Sequence, residues 1–403
     1  MNIMKLTSRF ICALISVLLI GQSVAYAKVS TLQEAVQEIS DGENLPVEVN
    51  AKAAIVIDSA TGQVIYEKNV DEKLDVSSLS KIMSMLLIYE AIDAGQLSLD
   101  DKVTASDKAC SKGGTQLFLS RGEEYTVDEL LKGVVMTSAN DACTALAEKL
   151  SGSETAFVAK MNERAAELGL INTKFANCTG QKSDSEQYST AEDIAVISKE
   201  LIKHKTYFKY SSTYMDEIIH PGGRLTQIVN TNKLVRFYTG CDGLQTGSNG
   251  TQNYCISMTA KKGQFRPIVI VLGAASAADR SNSAQELMDY TFANFSAVTI
   301  VKQDAVVKKN VKVGGAVESV RVDALSSEDF SILLKKGEEK QITKEVVLKE
   351  NLSAPLIKGD IIGELIVKKG DEEIKRLDIY ASTDVAEAGI WTYIQKIISM
   401  LSY

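Results

Sequence analysis

The chain has 403 residues, more than one compact core ordinarily organises, so two domains are the starting expectation. Its 45% hydrophobic and 24% charged residues describe a globular protein, and a net charge of -8 without a basic stripe argues against nucleic acid as a partner. Only two histidines are present, His204 and His220, which leaves little room for a Ser-His-Asp triad or a histidine-rich metal site; both read as surface or loop residues.

Residues 1–27 pair Lys5 and Arg9 with the apolar run FICALISVLLI and end in the small-x-small pattern of Ala25 and Ala27. This predicts an export signal cleaved after Ala27, the alternative being a retained anchor. Cys12 leaves with it. Cys110, Cys143, Cys178, Cys241 and Cys255 are then odd in number and form no Cys-x-x-Cys pair, so neither a disulfide framework nor a zinc site is expected.

AAIVID, SATG and QVIYE predict a β-hairpin turning at Thr61-Gly62 and leading into DVSSLSKIMSML. Ser78 and Lys81 stand three apart where helical spacing begins, with Ile82, Met83, Leu86 and Leu87 as the buried face. A lysine can activate a serine hydroxyl if its surroundings lower its pKa, and a helix amino end favours that through its positive dipole. Residues 126–204 read as mainly helical. Strands return with QNYCISMTAKK and RPIVIVLGAA, followed by a helix from about Ser281 to Phe295. Strand, helices, strand predicts one sheet whose edges are distant in sequence.

After about Ser296, alternating Val and Ile with charged turns predict a separate all-β domain. The tail is amphipathic: Ile390, Trp391, Ile394, Ile397, Ile398 and Leu401 share one helical face, and Lys396 interrupts a run too short to span a bilayer. It is expected to lie in a membrane interface, or to dock on its own β-domain or a partner.

A serine-lysine enzyme also needs a proton-handling polar element and a donor-lined strand edge for an acyl substrate. MTSANDA supplies Ser138 and Asn140, and CDGLQTGSNG supplies Thr246 and Gly247 before a strand. Ser-x-x-Lys, Ser-x-Asn and a Lys-Thr-Gly-like triplet in this order resemble the signature of penicillin-recognising serine enzymes. Longer blocks, among them FANCTG, YSTAEDIA and TNKLVRFYTGCDGLQTG, are similar to low-molecular-mass penicillin-binding proteins, the serine-type D-alanyl-D-alanine carboxypeptidases.

That resemblance implies an α+β fold: an antiparallel sheet flanked by helices with a helical subdomain (28–295), a small all-β domain (296–383) and an amphipathic membrane-associating helix (384–403). It implies Ser78 as acylated nucleophile, Lys81 as base, Ser138 as proton relay and Asn140 as holder of Lys81 and the substrate amide. The oxyanion would sit between the backbone N–H groups of Ser78 and Ser248; Thr246 would meet the substrate carboxylate, and Gly247 would allow close approach. Arg280 is a weaker candidate for that carboxylate, a surface arginine being the commoner reading. The implied partners are peptidoglycan stem peptides, β-lactams as inhibitors and the outer face of the cytoplasmic membrane, with no metal or diffusible cofactor.

One position departs. Gln245 stands where the family triplet has lysine, which removes a positive charge from the carboxylate site and lets the Lys81 pKa rise. Val76, Cys178 and Gln181 also differ from the usual residues. The expected activity is a carboxypeptidase, reduced if glutamine is a poor substitute; the alternative is a degenerate wall-binding protein. A class A β-lactamase is disfavoured by the lack of a Glu-x-x-Leu-Asn element.

Overall fold

The computed structural model describes residues 47–250, 252–316, 320–389, 391, 394 and 398. The expected export signal lies outside the described residues, as does most of the amphipathic tail.

Strand β1 (Ala53–Asp58) turns back into β2 (Val64–Lys68) at the predicted place. The turn closes because Asp58 Oδ2 accepts from both the amide and the hydroxyl of Thr61, and Gly62 takes the left-handed φ of 78° that the reversal requires. A 3-10 turn, Ser77–Ser80, then leads into helix α1 (Lys81–Asp93). Helices α2 (Val127–Thr137), α3 (Asn140–Ser151), α4 (Glu154–Glu167) and α5 (Ala191–Leu201) follow. Their starts are written locally: Thr126 and Glu129 form a reciprocal capping box, and Ser153 and Thr190 each accept from an amide three residues on.

Strands β3 (Cys241–Ser248), β4 (Tyr254–Ala260) and β5 (Pro267–Ala274) complete an antiparallel sheet of order β2-β1-β5-β4-β3. β1 therefore pairs with a strand more than 200 residues later, Ile55 opposite Ile270. Every residue of β5 is buried because α5 packs on one face and helix α6 (Ala277–Asn294) packs on the other. This explains its unbroken apolar run. Ile268, Ile270 and Leu272 join α1 to α5 in one core, and each such side chain contributes about 1.5–3 kcal/mol by leaving water. α6 starts four residues before the expected Ser281. Ser276 caps it through the Asp279 amide, and its exposed first turn carries no apolar periodicity to be read.

Among the described residues from Phe295 to Ala381 the regular structure is β, apart from one 3-10 turn at Glu338–Gln341. β6 (Phe295–Val301) pairs with β9 (Phe330–Lys335), while β7 (Val306–Lys312), β8 (Arg321–Ser326), β10 (Ile342–Leu348), β11 (Ile361–Lys369) and β12 (Glu372–Ala381) form a sheet of order β7-β8-β12-β11-β10. A second core of Val322, Ala324, Leu365, Val367, Leu377 and Ile379 lies within it. The architecture is α+β, as expected.

His220 corrects the reading of the histidines. It lies in a loop but is buried, because Tyr125 Oη lies 2.7 Å from its Nδ1 and its Nε2 meets Thr226 Oγ1 at 2.8 Å.

Candidate active site

Ser78 and Lys81 do not share one α-helix. Ser78 lies in the 3-10 turn and Lys81 opens α1. A 3-10 turn has three residues per revolution, so side chains three apart eclipse, and Lys81 Nζ donates to Ser78 Oγ at 3.2 Å. The turn is held by the Asp75 carboxylate accepting from the Ser77 amide at 2.8 Å and by Val76 O accepting from the Leu79 amide at 3.0 Å. Ser77 itself takes a positive φ of 50°, which turns the chain sharply into the nucleophile.

Lys81 is fully buried, and Thr179 O accepts its second hydrogen bond at 2.7 Å. Burial lowers its amine from the usual value to about 8, while the thiols of Cys143 and Cys178 pull it back up. Desolvation, rather than a helix dipole, therefore makes it a usable base. Below pH 8 the free amine falls tenfold per unit. The acylation rate constant for a β-lactam is thus expected to climb about tenfold per pH unit up to 8 and then level. A flat profile from pH 6 to 9 would remove Lys81 as the base. The same shift stabilises the fold as pH rises between 8 and 10.5, where the unfolded chain holds the extra proton.

Thr179 belongs to the FANCTG block, in which the sequence assigned no role to Thr179 and marked Cys178, with Gln181 just after, as departures from the family. Asn177 Oδ1 organises it, accepting from the amides of Thr179 at 3.1 Å and Gly180 at 2.7 Å. Gly180, at φ 76°, lies so close to the turn that a Cβ there would stand 1.9 Å from Ser77 O. Beneath the loop, Cys143 Sγ donates to Cys178 O at 3.2 Å and Ser84 Oγ to the same carbonyl at 2.7 Å. Cys178 Sγ reaches Glu154 Oε1 at 3.4 Å. Among the described residues, all five cysteines are free thiols, four of them buried.

Ser138 ends α2 in the left-handed region, φ 62° and ψ 34°, a conformation that a serine adopts only under constraint. Asn140 opens α3: its amide donates to Thr115 O and its Nδ2 to Gly113 O, both at 2.8 Å. Gln181 Nε2 donates to the same Gly113 O at 2.8 Å, so Asn140 and the 177–181 loop share one acceptor.

β3 brings the triplet to the nucleophile. A Cβ at Gly247 would lie 3.0 Å from the Ser78 amide nitrogen and 3.1 Å from Val76 O, so a side chain there would push the turn away by a few tenths of an ångström. Gln245, two residues earlier on the same strand face, is fully buried and sits opposite Ser257. Thr246 is nearly buried and Ser248 exposed, its Oγ accepting from the Gly250 amide. Asn249 Nδ2 donates to Asp75 Oδ2 at 3.0 Å, tying the strand end to the turn.

Among the described residues, Ser138 Oγ, Asn140 Oδ1 and both side-chain atoms of Gln245 are buried without a hydrogen-bond partner. Buried polar atoms are seldom left so, each costing about 1–3 kcal/mol, and four of them on the Ser-x-Asn and Gln-Thr-Gly motifs suit a site that receives polar groups. Arg280, half-buried on α6 rather than on the open surface, adds a buried Nε in the same condition. Among the described residues, no group of three or more His, Cys, Asp and Glu side chains is arranged to hold a metal.

Residues 39–276 match the family described as D-alanyl-D-alanine carboxypeptidase, well over half the chain. The chain belongs to this family. Residues 295–387 match the penicillin-binding protein 5 C-terminal domain, the span of the second β-rich core. This carboxypeptidase is 42% identical over 347 residues to D-alanyl-D-alanine carboxypeptidase DacF of Bacillus subtilis, covering 86% of this chain and 88% of the relative. It is 33% identical over 358 residues to DacC of Escherichia coli, with the same coverage. Among solved structures, penicillin-binding protein 5 of Haemophilus influenzae superposes with a TM-score of 0.72 at 26% identity, over 86% of this chain and all of that one. Penicillin-binding protein D2 of Listeria monocytogenes, solved with ampicillin bound, superposes over 62% of this chain and all of that one, with a TM-score of 0.55 at 31% identity. These relatives give no support to the alternative of a degenerate, non-catalytic wall-binding protein.

Proposed function

We propose that this serine-type carboxypeptidase removes the terminal D-alanine of peptidoglycan stem peptides through an acyl-enzyme on Ser78. The observation that carries the reading is the 3.2 Å contact between Ser78 Oγ and a buried Lys81 amine lowered to about 8. Lys81 takes the hydroxyl proton as Oγ attacks the penultimate D-alanine carbonyl, and the oxyanion rests between the backbone N–H groups of Ser78 and Ser248. Asn140 holds the acyl-side amide; Thr246 and Gln245, with Arg280 in support, receive the terminal carboxylate. The tetrahedral centre collapses as Ser138 passes a proton to the departing D-alanine amine, and water then hydrolyses the ester with Lys81 again as base. β-Lactams, which present a carboxylate and a strained amide, acylate the same oxygen. The test is D-alanine release from a pentapeptide, and its loss in Ser78→Ala.

Gln245→Lys measures the cost of the departure. A cation there supplies a charged partner to the carboxylate and lowers the Lys81 pKa further, so acylation by a carboxylate-bearing β-lactam is expected to rise about tenfold. Desolvating the new lysine should lower Tm at the same time. An unchanged acylation rate in stopped-flow measurements would mean that glutamine suffices.

The enzyme works outside the cytoplasm, after export directed by residues 1–27, and the tail holds it at the membrane. Trp391, Ile394 and Ile398 are exposed, helical and within one 60° sector, which supports an interfacial helix. Among the described residues, no helix is long and apolar enough to cross a membrane.

A further inference from the structure

A cavity of about 630 Å³, which the reaction scheme does not use, has Gln181 in its wall. Lys108, Lys112 and Lys182 line it against the carboxylates of Glu154 and Asp184, and Val158 and Ala176 give it an apolar wall. It is a cationic recess in a chain of net charge -8. Glu154 is itself nearly buried and already saturated. Lys112 donates to both its oxygens at 3.0 and 2.8 Å, Lys108 approaches Oε2 at 2.9 Å, and the Cys178 thiol takes Oε1. One carboxylate thus serves two ammonium groups. Lys112 spends two of its three donors on Glu154, whereas Lys108 spends one and keeps two for a ligand.

The recess adjoins the path of the substrate. Asn140 and Gln181 donate to the same Gly113 carbonyl; Asn140 meets the acyl-side amide, while Gln181 forms part of the recess wall and Lys112 precedes Gly113. The 177–181 loop that packs Gly180 against the nucleophile turn continues directly into that wall.

We infer that this recess is a subsite for a free carboxylate on the acyl half of the stem peptide, with the aliphatic portion of that residue against Val158 and Ala176. The inference rests on the acyl-enzyme reading above for the direction of the chain. Two sources can supply the carboxylate: the side chain of the third residue, where that is a diamino diacid rather than lysine, or the glutamyl residue before it.

Equilibrium binding to the Ser78→Ala protein separates this from turnover. The probes are a pentapeptide with both carboxylates free and two versions in which one or the other is amidated. Amidation of the contributing carboxylate is expected to weaken Kd about tenfold, and the effect should shrink as salt is raised from 50 to 500 mM. In a Lys108→Met, Lys182→Met background, which keeps the Lys112–Glu154 pair, the three peptides should bind alike. Which amidation weakens binding identifies the source. Equal Kd values for all three in the Ser78→Ala protein, no binding of any of them, or a preference that survives in the double-methionine background would overturn the subsite. Failure of the wild-type chain to release D-alanine would instead overturn the acyl-enzyme reading, whatever the Kd values show.

Discussion

Ser78→Ala is expected to lower D-alanine release by about 10⁴-fold or more and to leave no covalent penicillin adduct on intact-mass measurement. The variant loses one oxygen and little else. The Ser77 amide still donates to Asp75, the Leu79 amide to Val76 O, and Lys81 keeps its bond to Thr179 O, so the turn stays in place. Stability should therefore change by less than about 1 kcal/mol. Affinity for uncleaved pentapeptide should also survive, because its donors come from Asn140, Thr246, Gln245 and backbone. A loss of turnover with retained binding and Tm assigns a chemical role to the oxygen. Release at the wild-type rate, or an adduct that persists and maps to another serine, would refute the mechanism.

Gly180→Ala should also damage acylation, without touching a reacting group. Its Cβ would stand 1.9 Å from Ser77 O and 2.5 Å from Ser77 C, both rigid backbone, and alanine is strained at φ 76° in any case. Either the 177–181 loop or the nucleophile turn must move. The loop carries the Thr179 carbonyl that aims Lys81, and the turn carries Ser78. A displacement of about 1 Å is enough to cost roughly 100-fold in acylation, and the clash with the φ penalty should cost about 2–4 kcal/mol of stability. Gly152→Ala is the control: at φ 75° with nothing within 4 Å of its Cβ, it bears the backbone strain alone. It should lose about 1 kcal/mol in denaturant unfolding and keep full activity. Equal activities for the two variants would show that the close packing of Gly180 is dispensable.

The parts of the fold that were legible beforehand are those specified within a few residues. The β1–β2 hairpin follows from two apolar strand segments and a Thr-Gly turn, and α2, α4 and α5 follow from helical apolar spacing. α6 was misplaced at its start because its first turn is exposed and carries only a cap. The joining of Ser78 to Lys81 by a 3-10 turn was not readable, since three-residue spacing suits either helix type; close packing against Gly180 and Gly247 accompanies the tighter one. His220 was read as an ordinary loop residue because its partners, Tyr125 and Thr226, come from separate strands.

The identities of the reacting groups lie in the sequence by itself. Ser78, Lys81, Ser138, Asn140 and the Gln-Thr-Gly triplet stand in an order that resembles the signature of penicillin-recognising serine enzymes, and that resemblance pointed to acyl transfer. What makes them work was decided by tertiary structure. Lys81 is suited to the proposed role of base because the closed core buries it and lowers its pKa. It is aimed by the Thr179 carbonyl, 98 residues away. Chain order records which groups are present, whereas desolvation and sub-ångström approach depend on which surfaces meet, and that is set only when the whole core closes.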